Sequence, residues 1–130
     1  MKIQESAENY LETILVLSQR QSFVRSIDIA NELSFSKPSV SVAMKNLRQN
    51  DLIIVNEEGH ISLTPSGLAI AAKVYERHTL LSDMLIALGV APAVAAEDAC
   101  RIEHVISDES FQALKTHLRE VKDILAARSK

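Results

Sequence analysis

Residues 26–63 carry the pattern that most constrains the fold of this chain. Two short amphipathic helices are predicted there, the first with Ser26 as its N-cap, and a turn at residues 34–36 separates them. The β-branched run at residues 52–55 and the alternating segment at residues 60–63 flank turn-forming residues, which predicts a β-hairpin. The order helix, turn, helix, hairpin is that of a winged helix-turn-helix.

The second of these helices has a basic outer face. Ser36 is its predicted N-cap, and Val40, Met44 and Leu47 form its inward apolar stripe. Residues 36–50 include three basic residues and no acidic one, although the chain has a net charge of −3. A helix in the major groove of DNA needs this pattern, because Lys, Arg and Ser contact phosphates while short side chains reach base edges. The helix alone is also compatible with an ordinary solvated face, but the following hairpin favours DNA binding. The predicted DNA-binding residues are Ser36, Lys37, Pro38, Ser39, Ser41, Lys45 and Arg48.

Further helices are predicted on both sides of this segment. A first helix ends near residues 19–21, and a long helix starts at Thr64-Pro65 and ends at Gly89. Two more helices follow, and the last has an apolar face of Phe111, Leu114, Leu118, Val121 and Leu125. The predicted fold is therefore mainly α, with a winged helix-turn-helix domain at residues 1–72 and an all-α domain at residues 73–130. These last helices make little core alone, so we expect a second copy to cover their apolar surface in a homodimer.

Cys100, Glu103 and His104 stand at positions i, i+3 and i+4 of a helix predicted over residues 93–105. This spacing places a thiol, a carboxylate and an imidazole on one face, which is half of a metal site. A small buried Cys100 beside an exposed edge is the alternative, because free cysteine prefers burial. Taken alone, His78 of the long helix is explained as a histidine that is exposed or lies at the edge of the core. Glu12 of the first helix is explained as a solvated residue.

The cysteine count and the hydropathy pattern point to the cytoplasm. The chain has one cysteine, so it forms no internal disulfide, and a single thiol suits a reducing compartment. No apolar stretch approaches the length that a membrane span needs, and the first residues lack the apolar region of a signal peptide. We therefore expect a cytoplasmic protein with no membrane contact.

Five stretches of the chain resemble the metal-dependent repressors of the diphtheria toxin repressor and manganese transport regulator type. They are residues 10–14, 38–41, 63–67, 77–78 and 97–108, and the last is the most specific. The resemblance covers essentially the whole chain. It implies a homodimeric repressor, not an enzyme, that binds divalent metal and then a palindromic operator in double-stranded DNA near metal-uptake genes. The SH3-like third domain of longer family members is not expected in this chain.

The resemblance also implies a set of metal ligands. Cys100, Glu103 and His104 match the metal-binding helix, His78 matches the histidine of the long helix, and Glu12 matches a glutamate of the first helix. Asn9 stands where the family usually has a methionine or an aspartate, so it offers a weak amide oxygen at best. Because a thiolate shifts preference away from Mn²⁺, we expect Fe²⁺ first and Mn²⁺ second, with Zn²⁺, Co²⁺ or Ni²⁺ binding in vitro.

Two other classes of function stay open at this point. A winged-helix regulator that senses a non-metal ligand would leave Cys100 buried and inert. A small metalloenzyme would use Cys100, Glu103 and His104 as an open site with a bound water, but it would leave the basic helix unexplained.

Overall fold

The structure is a computed structural model that describes the backbone of residues 5–128 and the side chains of residues 5–120. The predicted apolar positions Val121 and Leu125 lie outside the described side chains. The elements of the described part are α1 (Glu5–Arg20), α2 (Ser26–Leu33), α3 (Lys37–Gln49), β1 (Ile53–Val55), β2 (Ile61–Leu63), α4 (Pro65–Ala87), α5 (Pro92–Ile102) and α6 (Asp108–Arg128). The chain divides into two compact units, and the boundary lies inside α4, between Tyr75 and Glu76. Within residues 5–128, no helix combines the length and the apolar character that a membrane crossing requires.

Both helices of the helix-turn-helix begin at an N-cap formed by nearby residues. Ser36 is the N-cap of α3, as predicted, and its hydroxyl accepts a hydrogen bond of 3.3 Å from the backbone N–H of Ser39. The predicted cap at Ser26 is wrong by one residue. Arg25 is the N-cap of α2, because its backbone N–H donates to the Asp28 carboxylate at 2.9 Å and Ser26 is already helical.

The predicted hairpin is present as a short antiparallel wing. Ile53 lies opposite Leu63 and Val55 lies opposite Ile61 in the register of the two strands. The segment before α2 adds one further contact, since the backbone N–H of Ile61 donates to the carbonyl of Val24 at 2.7 Å. The wing is therefore fixed to the loop between α1 and α2 as well as to its own turn.

The start of α4 is held against the wing by Thr64 and Gly67. The Thr64 hydroxyl accepts from the Gly67 N–H at 3.1 Å and donates to the carbonyl of Asp51 at 2.7 Å. A Cβ atom at Gly67 would lie 2.0 Å from the carbonyl oxygen of Leu52, so only glycine fits at this position. The predicted N-terminal cap of the long helix is confirmed.

The core of the first unit takes apolar side chains from every one of its helices and from both strands. Fully buried members include Leu11 and Ile14 of α1, Ile29 of α2, Val40 of α3 and Ile53 of β1. These positions follow the helical and strand periodicities of the sequence, which is why the winged helix-turn-helix was predictable.

The second unit comprises the C-terminal part of α4 with α5 and α6. Each of these helices has buried apolar side chains, namely Leu81 of α4, Ala95 and Ala99 of α5, and Phe111 of α6. The Ser107 hydroxyl accepts from the backbone N–H of Ser110 at 3.1 Å and caps α6. The predicted mainly α fold, a winged helix-turn-helix followed by a helical domain, is confirmed.

Candidate metal centre and DNA-binding face

Glu103 is the centre of a buried polar cluster in the second unit, and its side chain is 0% exposed. One carboxylate oxygen, Oε2, lies 2.9 Å from Nδ1 of His78, and the other, Oε1, lies 3.3 Å from Nε2 of His104. Burial of a carboxylate is costly unless the group is paired. Each oxygen of Glu103 therefore faces an imidazole nitrogen.

Cys100 lies one helical turn before Glu103. Its sulfur, a Glu103 oxygen and a His104 ring nitrogen all lie within 4.8 Å of one another. Helix α5 ends at Ile102, three residues before its predicted end, but Glu103 keeps helical backbone angles of φ −58° and ψ −26°. The structure thus brings Cys100, Glu103 and His104 together on one side even though the last two follow the helix.

This donor set fits a divalent cation. Thiolate, carboxylate and imidazole are ligands of Fe²⁺, Co²⁺, Ni²⁺ and Zn²⁺, and the carboxylate also suits Mn²⁺. Among the described residues, Oε1 of Glu103 accepts no hydrogen bond of good geometry, although His104 lies near it. The buried Glu103 carboxylate has a thiol and two imidazoles near it and an oxygen with lone pairs to spare, which is a suitable environment for a cation.

Arg77 binds the turn that carries Glu103 and His104, and the sequence analysis gave this arginine no role. This arginine is 7% exposed, and its Nη1 donates to the carbonyl oxygens of Glu103 at 3.0 Å and of Ile106 at 2.9 Å. Its Nη2 pairs with the Asp108 carboxylate, and its guanidinium lies 5.5 Å from the ring centroid of Phe111. In a continuing helix the Glu103 carbonyl would accept from the backbone N–H of residue 107, and here Arg77 of α4 binds it instead.

Glu12 and Asn9 belong to the first unit. Both side chains lie on α1, and both residues are partly buried, so neither is the fully solvated residue that the sequence alone favoured. Their roles as metal ligands stay predictions.

The basic face of α3 points to solvent, as predicted. Val40, Met44 and Leu47 are 0%, 5% and 4% exposed and form the inward stripe. All predicted DNA-binding residues are exposed, namely Ser36, Lys37, Pro38, Ser39, Ser41, Lys45 and Arg48. Their contacts with DNA stay predictions.

His60 is the first residue of the predicted return strand, where an exposed side chain is the simplest expectation, but this side chain is largely buried. Its side chain is 12% exposed, and its ring stacks on Phe23 with centroids 4.2 Å apart and an interplanar angle of 17°. The Arg25 guanidinium donates to its Nε2 at 3.3 Å, and its Nδ1 lies 3.5 Å from the Glu58 carboxylate. These four residues form a wing-base cluster that joins the wing to the loop before α2.

Two family models match nearly the whole chain. Residues 2–61 match the N-terminal DNA binding domain of the iron dependent repressor. Residues 64–123 match the metal binding and dimerisation domain of the same repressor. The buried cluster therefore lies in the domain that binds metal in this family, and the basic α3 lies in the domain that binds DNA.

Similar proteins of known sequence are transcriptional regulators. The transcriptional regulator MntR of Escherichia coli O157:H7 is 32% identical over 111 residues, which are 85% of this chain and 72% of MntR. An uncharacterized HTH-type transcriptional regulator of Methanocaldococcus jannaschii is 32% identical over 123 residues, covering 92% of this chain and 97% of that protein.

Similar solved structures include two regulators that respond to metals. The manganese regulator SloR has a TM-score of 0.78 and 30% identity, over 92% of this chain and 55% of SloR. The metal-dependent transcriptional regulator MtsR has a TM-score of 0.81 and 25% identity, over 87% of this chain and 53% of MtsR. The chain thus spans about half the length of these solved proteins. The predicted family is confirmed: the chain belongs to the iron-dependent repressor family of metal-dependent transcriptional regulators, which are DNA-binding proteins and not enzymes.

Proposed function

We propose that this protein is a metal-activated repressor that acts in the cytoplasm as a homodimer on a palindromic operator near metal-uptake genes. The observation that carries the proposal is the buried Glu103 carboxylate, which faces His78 and His104 and has Cys100 within ligand distance of the same cluster. A purely structural cluster would not need a thiol and two imidazoles near one buried carboxylate.

The proposed metal ligands of the second unit are His78, Cys100, Glu103 and His104. When bound, the cation supplies two positive charges that balance the Glu103 carboxylate and the Cys100 thiolate. His78 stands on α4 and already lies 2.9 Å from Glu103, so the two side chains need little movement to share a ligand sphere. Cys100 must lose its proton to act as a ligand, so metal binding releases a proton. Glu12 is proposed as a further ligand, and Asn9 as a weak one, on the family resemblance.

The proposed physiological metal is Fe²⁺, with Mn²⁺ second. The thiol of Cys100 supports Fe²⁺, because soft sulfur ligands are less suited to Mn²⁺ than oxygen ligands are. The similarity to SloR, a manganese regulator, supports Mn²⁺. Zn²⁺, Co²⁺ or Ni²⁺ should also bind in vitro. Replacing Cys100 with glutamate should move the response towards manganese.

The homodimer and the palindromic operator are proposed together. The second unit, taken as a single chain, exposes the apolar residues Ile86, Leu88, Val94 and Val105, and Val105 is 75% exposed. Such surface is suited to contact with a second copy. A twofold dimer would present two α3 helices, and these fit half-sites about one DNA turn apart.

Metal content and DNA affinity test the proposal together. The protein is purified without oxygen, its metal is measured, and its affinity is determined for a DNA duplex that it selects from a randomised library with Fe²⁺ or Mn²⁺. We expect added metal to raise the affinity by about 5- to 150-fold, and by linkage the DNA should raise the metal affinity by the same factor. An affinity that chelator and added metal leave unchanged would contradict the proposal and favour a regulator with a non-metal ligand.

Single substitutions assign the ligands. Cys100→Ala and His104→Ala should remove the metal-dependent gain in DNA affinity, while circular dichroism and dimer mass stay unchanged. The matched control is His117→Ala, since His117 is an exposed histidine of α6. If Cys100→Ala responded to metal as the unchanged protein does, the proposed ligand set would be wrong.

A further inference from the structure

Val42 lies on the outer side of α3 and is 61% exposed. A single exposed apolar side chain is ordinary on a protein surface, so exposure alone carries no meaning. The position of Val42 is informative, because its neighbours one turn away on the helix surface are Pro38, Ser39, Lys45 and Asn46. All four are exposed. Val42 is therefore the apolar centre of the polar and basic face that is predicted to meet DNA.

Neither core packing nor helix propensity accounts for a valine at this position. The buried stripe of α3 is formed by Val40, Met44 and Leu47, and Val42 adds nothing to it. β-branched valine is also a weaker helix former than alanine or the straight-chain polar residues. The methyl groups of Val42 gain free energy only when something outside the chain covers them from water.

The charge of the surrounding face identifies the covering molecule as DNA. Lys37, Lys45 and Arg48 flank Val42 along α3, and the helix has no acidic residue. Such a face is complementary to phosphates. In the major groove, the apolar group displayed on a base edge is the 5-methyl of thymine, and it is read by apolar side chains.

We propose that Val42 contacts the 5-methyl group of one thymine in each half-site of the operator and is a specificity-determining residue of this protein. The inference rests on the proposed function and adds to it a residue that reads a base. The flanking lysines and arginine position the helix through phosphates, whereas Val42 distinguishes thymine from the bases without a 5-methyl group.

Thymine-to-uracil replacement tests this contact directly. Deoxyuridine keeps the base pair with adenine and lacks only the 5-methyl group. Each thymine of the duplex selected by the Mn²⁺-loaded protein is replaced in turn, and the affinity is measured. At one thymine per half-site, replacement should weaken binding by about three- to fivefold, as the burial of a single methyl group predicts. In Val42→Ala the same replacement should cost less than about twofold, because the shortened side chain no longer covers the methyl.

Two measurements keep the test specific. Alanine is a better helix former than valine, so Val42→Ala should melt at or slightly above the temperature of the unchanged protein. Val16→Ala makes the same substitution at a partly buried valine of α1 that lies outside the α3 face and outside the proposed dimer surface, and it should keep the wild-type pattern of uracil penalties.

The outcomes separate this inference from the proposed function. Metal-dependent DNA binding without any uracil penalty, or with the same penalty in Val42→Ala, would overturn the thymine contact and leave the proposed function intact. A wild-type protein that bound no DNA with metal would overturn both. A penalty that disappears only in Val42→Ala establishes the contact.

Discussion

The predicted DNA-binding face of α3 and the buried cluster around Glu103 are built in opposite ways. The face lies on consecutive turns of one helix, α3, and all of its predicted DNA-binding residues are exposed. The cluster joins His78 of α4 to Glu103, 25 residues further along the chain, and the Glu103 side chain is fully buried. A face of this kind depends on local helical spacing alone, whereas the cluster depends on contacts that hold a turn in place. Substitutions should therefore separate the two: those on the face should change DNA affinity alone, and those that support the cluster should change metal affinity and stability together.

Arg77→Met should produce the largest effect among residues that are not themselves ligands. The substitution removes the donors to the carbonyls of Glu103 and Ile106 and the ion pair with Asp108. Loss of an outer group that orients metal ligands typically lowers metal affinity by about 10- to 100-fold. Two carbonyls that lose their donor should lower the free energy of unfolding by about 2–4 kcal/mol. Mn²⁺ titration by calorimetry and thermal unfolding of the metal-free protein measure the two effects.

Arg101→Met is the matched control for Arg77. The Arg101 side chain is 75% exposed and pairs with Glu97 on the same helix, so its loss should change neither metal affinity nor stability measurably. Arg77→Lys should recover only part of the loss, because an ammonium cannot reproduce the fork of donors that holds two carbonyls and a carboxylate. Metal affinity in Arg77→Met equal to that of the unchanged protein would show that the turn does not need this arginine.

Lys45→Ala should have a smaller effect, and it should be confined to DNA. Lys45 is exposed on α3, and its loss should leave metal affinity and unfolding unchanged. If it contacts a phosphate, the slope of log affinity against log salt concentration should fall by about one for each lysine removed, with a similar weakening on every DNA sequence. Lys115→Ala, which removes an exposed ion pair with Glu76 in the second unit, should keep the original slope. A salt slope that did not change in Lys45→Ala would exclude a phosphate contact at this position.

The same contrast explains how much of the molecule could be predicted from its sequence. The outward face of α3 follows from the spacing of Val40, Met44 and Leu47, which is a local property of one helix. The winged helix-turn-helix follows from the order of such local patterns along residues 26–63. Cys100, Glu103 and His104 were also predicted to lie together, because a stretch of five residues includes all three. Local spacing was sufficient in both cases.

Contacts between segments that are distant along the chain could not be predicted from local spacing. Arg77 lies 26 residues before Glu103, and no periodicity tells a buried arginine that binds carbonyls from an exposed one. Arg77 binds the turn that follows the early end of α5, and that end was missed together with the contact. The side chain of His60 was misplaced for the same reason, since its partner Arg25 is 35 residues away.

The wing-base cluster provides the test with the smallest expected effect. It combines local strand pairing with contacts between segments that are distant along the chain. His60→Ala removes the stack on Phe23 and the acceptor for Arg25, while the strand pairing of the wing stays in place. Loss of an aromatic pair should lower the free energy of unfolding of the first unit by about 1 kcal/mol, measured by urea denaturation. His60→Phe keeps the stack and removes the acceptor, so it should recover most of the stability, while His117→Ala should have no effect.

Operator affinity should fall less in His60→Ala than in Lys45→Ala, because the wing tip carries Glu57 and Glu58 and adds little to phosphate binding. An unfolding free energy that His60→Ala left unchanged would mean that the wing is held by its backbone contacts alone, including the hydrogen bond from Ile61 to Val24.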